Sequence, residues 1–163
     1  MRDSPDPDQT PDGQVLFRER LWPAVWVFLS TALVIPASFL VFLPIDTTAG
    51  VIVALVLYGA IVATLVATAP VIAVSKHRIA AGRANLPVAF AGAADAFEQQ
   101  EAVLERGQRL DARAWLVLRG WIGPVVKIPV VDPADPTPYW LVSTRRPAQL
   151  VAAIADARSA APA

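Results

Sequence analysis

The stretch Leu21–Ile45, LWPAVWVFLSTALVIPASFLVFLPI, decides how this chain is read. It carries no charged residue, and a helix rising about 1.5 Å per residue over this length crosses a hydrocarbon core of roughly 30 Å. Trp22 and Trp26 stand near its start, where an indole sits with its ring in lipid and its N–H among headgroups. Pro36 frees the carbonyl of Ala32 and predicts a kink. The turn Pro44-Ile45-Asp46-Thr47-Thr48 follows. Pro44 ends one helix there, and Asp46, Thr47 or Thr48 caps the next. A second uncharged run, Thr47–Ser75, completes a hairpin with spans expected at about 21–43 and 48–70.

A secretory signal peptide is the competing reading of the first run. Its apolar core would be shorter, and an acidic, proline-rich leader is a poor n-region. In the second run Gly59, Ala63 and Ala67 recur every four residues and predict a smooth face against the first helix. Orientation follows from the flanks. Arg18 and Arg20 precede the hairpin and Lys76, Arg78 and Arg83 follow it, whereas its turn holds only Asp46. Lys and Arg stay on the cytoplasmic side, so the sequence predicts a multi-pass protein of the plasma (inner) membrane with both termini cytoplasmic.

Composition agrees with this reading. Of 163 residues, 55% are hydrophobic, and the mean hydropathy of +0.48 is high for a soluble chain. The 14 basic residues balance 14 acidic ones, but four aspartates (Asp3, Asp6, Asp8, Asp12) crowd the start. Residues 1–17, acidic and rich in proline, are expected to form a disordered tail. From Ser75 onward 11 Lys and Arg face 8 Asp and Glu, too mild an excess to argue for nucleic acid. The absence of cysteine excludes disulfides, thiol nucleophiles and thiolate metal sites. A single histidine, His77, excludes most imidazole metal and triad chemistry. No metal site and no cofactor are expected.

Residues 71–158 read as a small cytoplasmic domain rich in β-structure, with residues 159–163 a second disordered tail. Val71–Val74, Ile79–Ala81 and Leu86–Val88 are short strands punctuated by Ser75–Arg78 and Gly82. Ala93–Arg106 is expected to be helical, with Phe97 and Leu104 on one face and Gly107 as the stop. Trp115–Arg119, Val125–Val131 and Tyr139–Ser143 are further strands. The three prolines of Asp132–Pro138 make a rigid turn. Pro147 to about Ala157 is a closing helix with Leu150, Val151 and Ile154 on one face. The fold class expected is therefore a membrane α-helical hairpin plus a small α+β domain, the latter a partly open β-barrel capped by a C-terminal helix.

That arrangement resembles the bacterial pleckstrin-homology-like domains. Val71–Val88 looks like their first strands and Tyr139–Ile154 like their last strand and capping helix. A more specific resemblance covers nearly the whole chain. Glu19-Arg20-Leu21 with Pro23, the hairpin, Gly82–Pro87, and above all Asp132–Pro147 (DPADPTPYWLVSTRRP) are similar to an actinobacterial two-span membrane family catalogued as domain of unknown function 3093. The resemblance implies membrane location and a two-span topology, and it brings no activity.

Two candidate sites arise. Asp132 and Asp135 are a close carboxylate pair, but calcium wants six or more oxygens and a glycine-bearing loop, and Asp-Pro commonly opens turns. Arg145 and Arg146 stand at the start of the last helix, where the macrodipole disfavours cations. With free helix N–H groups they would hold a phosphate or lipid headgroup. The alternative is that they pair with Asp132 and Asp135 or sit in water. Lys76, His77 and Arg78 are expected to anchor the inner leaflet. Trp115, Trp121 and Trp140 are expected to be core or membrane-facing.

The function these features favour is a non-enzymatic, membrane-tethered binding or scaffolding module, its partner an unidentified protein or anionic lipid. An accessory subunit of a membrane complex shares the same features. An enzyme acting on a membrane-proximal phosphorylated substrate is disfavoured, because no glycine-rich phosphate loop or nucleophile motif is present.

Overall fold

The computed structural model describes residues 14–160, which divide into two compact units: residues 14–20 with 71–160, and Leu21–Pro70. Residues 1–13 and 161–163, expected as tails, lie outside the described residues. The tail boundary expected at residue 17 is displaced. Val15–Arg20 is a strand, β1, whose alternation turns Phe17 and Glu19 inward and Arg18 and Arg20 outward. Ser159 and Ala160 likewise belong to the last helix, not to a tail.

β1 pairs antiparallel with β2 (Val71–Ser75), the first strand after the hairpin, with Arg20 opposite Val71 and Arg18 opposite Ala73. The hairpin is therefore an insertion between two neighbouring strands of one sheet. β3 (Arg78–Ala81) and β4 (Ala84–Pro87) complete that sheet in the order β1-β2-β3-β4. Gly82 makes the β3–β4 turn at φ 65°, a left-handed conformation that costs glycine little, and its N–H donates to the Val71 carbonyl at 2.9–3.0 Å typical length, here 3.0 Å. Directly opposed residues share a face. Phe17, Val74, Ile79 and Leu86 form one buried row, and Arg18, Ala73, Ala80 and Asn85 form a row on the other side.

The second sheet has the order β5-β7-β8-β6, formed by Asp95–Phe97 (β5), Trp115–Val117 (β6), Val125–Pro129 (β7) and Tyr139–Ser143 (β8). β6 runs parallel to β8 and the other pairs are antiparallel. The helix expected over Ala93–Arg106 is shorter. Ala96 and Phe97 pair with Val126 and Val125, and Gln99, at φ 47°, breaks the chain into α4 (Gln99–Arg106). Sheet pairing of Phe97 overrides the local helix preference.

The closing helix α5 (Pro147–Ala160) starts with proline at its first position, where no N–H is needed. It buries Leu150, Ala153, Ile154 and Ala157 at helical spacing against β1 and β2 of one sheet and β5 and β7 of the other. Among the described residues the sheets are two and neither closes, so the unit is α+β with a shared helix.

In the second unit Val25–Thr31 (α1) and Val34–Phe42 (α2) form the first arm, and Thr47–Ala67 (α3) the second. Both arms are long and apolar enough to cross a membrane. The first arm begins and the second ends inside the expected spans because Leu21 and Pro70 still behave as strand: the Leu21 N–H donates to the Pro70 carbonyl at 2.9 Å. The break between α1 and α2 is the effect expected of Pro36. The Ala32 carbonyl, deprived of an N–H at Pro36, accepts from Ile35 at 2.9 Å instead. Asp46 caps α3, accepting from Thr48 N at 2.7 Å and Ala49 N at 3.2 Å.

The small face is not where the spacing placed it. Gly59, Ala63 and Ala67 are exposed, whereas Gly50 and Ala54 are the buried residues of α3. A Cβ at Gly50 would lie 2.9 Å from Phe42 Cβ, and one at Gly59 would meet nothing within 4 Å. Close approach occurs beside the turn because the turn brings the arms together there.

Candidate functional site

The two arginines flagged at the start of α5 are held by the first strand of the chain. Glu19 is 7% exposed and faces inward from β1. One of its carboxylate oxygens accepts from the Thr144 hydroxyl, and the other accepts from the Arg145 backbone N–H at 3.0 Å. Thr144 Oγ1 in turn accepts from Arg146 N at 3.1 Å. A buried acid thus occupies the helix start, where N–H groups lack partners and negative charge is favoured.

The Arg146 guanidinium continues the clasp. It donates to the Arg18 carbonyl at 2.7 Å and to Gln149 Oε1 at 3.4 Å, and lies 4.8 Å from the centroid of the Phe17 ring. Beside it runs a groove of about 390 Å³, lined by Leu16, Phe17, Arg18, Arg146, Gln149 and Asp156 among others. The sequence singled out Arg145 and Arg146, with Asp132 and Asp135 as their alternative partners, but those acids turn elsewhere. Asp132 accepts from Ala134 N and Asp135 from Thr137 N, each at 2.9 Å, which closes the proline-rich turn on itself. The Thr137 backbone N–H, with the Thr137 hydroxyl, holds the Asp135 carboxyl below its ordinary range. Among the described residues neither aspartate bridges to Arg145 or Arg146.

The basic flank also divides. Arg20 stands opposite Val71, where the chain leaves for the hairpin and returns, and Arg83 follows Gly82, which is bonded to Val71. Lys76 and Arg78 lie beyond Ser75, at the far end of β2, about 13 Å along the strand at roughly 3.3 Å per residue.

A second buried acid escaped the sequence reading. Glu105 is 3% exposed and pairs with Lys127 at 2.9 Å and Arg109 at 3.4 Å. Lys127 also sits 4.3 Å from the Tyr139 ring centroid, and the Tyr139 hydroxyl accepts from Asp111 N at 2.7 Å. This network ties α4 to β7 and β8. Trp140 is buried, and Trp115 is partly exposed with its ring 6.4 Å from it. Among the described residues no three His, Cys, Asp or Glu side chains converge as metal ligands do.

The two halves of the clasp fall within one family match. The family described as "Protein of unknown function (DUF3093)" matches residues 16–154, from β1 through the hairpin and both sheets into α5. The chain belongs to this family. Comparison with curated proteins and with solved structures returns no match. In this DUF3093 chain Glu19 and the pair Thr144 and Arg145, distant in sequence, meet at one place in the fold.

Proposed function

We propose that this DUF3093 protein is a membrane-tethered binding or scaffolding module, non-enzymatic, displayed on the cytoplasmic face of the plasma membrane. The observation that carries this reading is the insertion of an apolar hairpin between two neighbouring antiparallel strands. Strands paired side by side deliver both ends of the hairpin to one place, so two crossings return the chain to the side it left. The exposure of Leu29, Leu33, Leu40, Val41, Leu55 and Val56 supports lipid as the medium around the arms, because water disfavours so continuous an apolar surface. Arg20 and Arg83 at the strand ends, against Asp46 alone in the connecting turn, support the cytoplasmic side.

The sharing of α5 by two sheets supports a distant likeness to pleckstrin-homology-like domains, and the parallel β6–β8 pair departs from it. Reporter fusions test the topology: one after Ala163 reads cytoplasmic, and one within Asp46–Thr48 reads external. An external C-terminus overturns the reading.

A further inference from the structure

We infer that the outward face of the first sheet is a docking surface for anionic phospholipid headgroups. The register assigns the face residue by residue. Arg20 lies opposite Val71; Arg18, Ala73, Ala80 and Asn85 form a row across all four strands; Arg78 lies opposite Pro87. Three arginines therefore share a face whose centre is built from two alanines, low enough for a headgroup layer to approach. Lys76 and Arg83 extend it at the two turns.

Over residues 14–20 and 71–94 the one acid is Glu19, which points to the other side and is consumed by Thr144 and Arg145. The inward rows are apolar and buried, so the two faces differ in charge as well as in burial. The occupant follows from charge complementarity and tethering. The inference rests on the hairpin lying in the bilayer, which keeps an anionic surface at high effective concentration beside strands that leave it directly. Each arginine near such a surface strengthens attachment by about fivefold.

The absence of cysteine in this chain permits a direct test. In full-length protein in nanodiscs, Asn85→Cys reports the face and Gln108→Cys, on an exposed loop, controls for the surface potential. The rate of alkylation by an uncharged, water-soluble maleimide is compared between phosphatidylcholine discs and phosphatidylcholine–phosphatidylglycerol discs. The expected result is severalfold slower labelling of Asn85→Cys in the anionic discs beyond any slowing of the control. High salt should relieve it. Combining Arg18→Gln, Arg20→Gln and Arg78→Gln should also relieve it.

Equal rates in the two discs, after correction by the control, overturn the inference. Slow labelling in both discs that is released by deleting residues 1–12 assigns the face to the chain's own acidic segment and likewise overturns it. Protease protection of the hairpin, measured in the same discs, reports insertion separately. Failure of the tether and failure of the surface are thereby told apart.

Discussion

The Arg145 backbone N–H donates to the Glu19 carboxylate at 3.0 Å across 126 positions of sequence, joining the strand that precedes the hairpin to the helix that ends the fold. Glu19→Ala leaves that N–H and the Thr144 hydroxyl buried without an acceptor, at a cost of about 2 kcal/mol. Glu19→Gln keeps one acceptor and should cost less. Chemical denaturation in detergent, followed by tryptophan fluorescence, measures both. An unchanged midpoint for Glu19→Ala would show that the clasp contributes nothing to stability.

The hairpin contact makes a sharper contrast. Gly50→Leu forces a side chain into Phe42 and should destabilise the pair of arms by about 1–3 kcal/mol. Gly59→Leu enters open space and should leave the thermal transition in detergent where it was. The opposite order would move the helix contact to the other end of α3.

Leu21 and Pro70 continue the β1–β2 ladder, so residues Trp22–Ala69 are replaceable by a two-residue Asn-Gly turn of the kind that joins antiparallel strands. The resulting protein should be soluble and unfold in one cooperative transition. A fragment starting at Val71 lacks β1 and the Glu19 carboxylate and should lose that cooperativity. Size-exclusion chromatography and thermal circular dichroism separate the outcomes.

Asp135 supplies a pH test. Its carboxyl is held below the ordinary range by Thr137, so the charged form favours the folded state. That stabilisation is present above the carboxyl's unfolded value and fades as pH falls through its lower folded value. Asp135→Asn should therefore differ most from the unaltered protein at neutral pH and converge with it in strong acid. A difference that grows on acidification would contradict the assignment.

How much of this was legible beforehand depended on the range of the contacts. The hairpin, the Pro36 break, the Asp46 cap and most strands were written in local pattern, where each residue's neighbours in sequence decide its state. Val15–Arg20 was missed because Arg18, Glu19 and Arg20 look like a membrane flank until Phe17 and Glu19 are seen to face inward together. Gly59, Ala63 and Ala67 have the right spacing but sit too far from the turn to meet α2. Arg145 and Arg146 drew attention through the helix start, yet the acid that caps it, Glu19, precedes the hairpin in sequence, and Asp132 and Asp135 were merely nearer. The one available signal was that Glu19 and Thr144 both fell within the stretches shared with the DUF3093 family.

The placement of β1 also imposes an order of assembly. Synthesis delivers Val15–Arg20 first, but its pairing partner β2 emerges only after the whole of Leu21–Pro70, and Thr144 and Arg145 much later. Until then Phe17 has no apolar neighbours from β2, and Glu19 keeps its water. Bringing the ends of so long a segment together is entropically costly for a free chain. A hairpin closed at its open end by the Leu21 N–H bond to the Pro70 carbonyl sets Arg20 and Val71 side by side, and so lowers that cost as the sheet forms. The hairpin then acts as a folding template, and the strand made earliest is the one locked last.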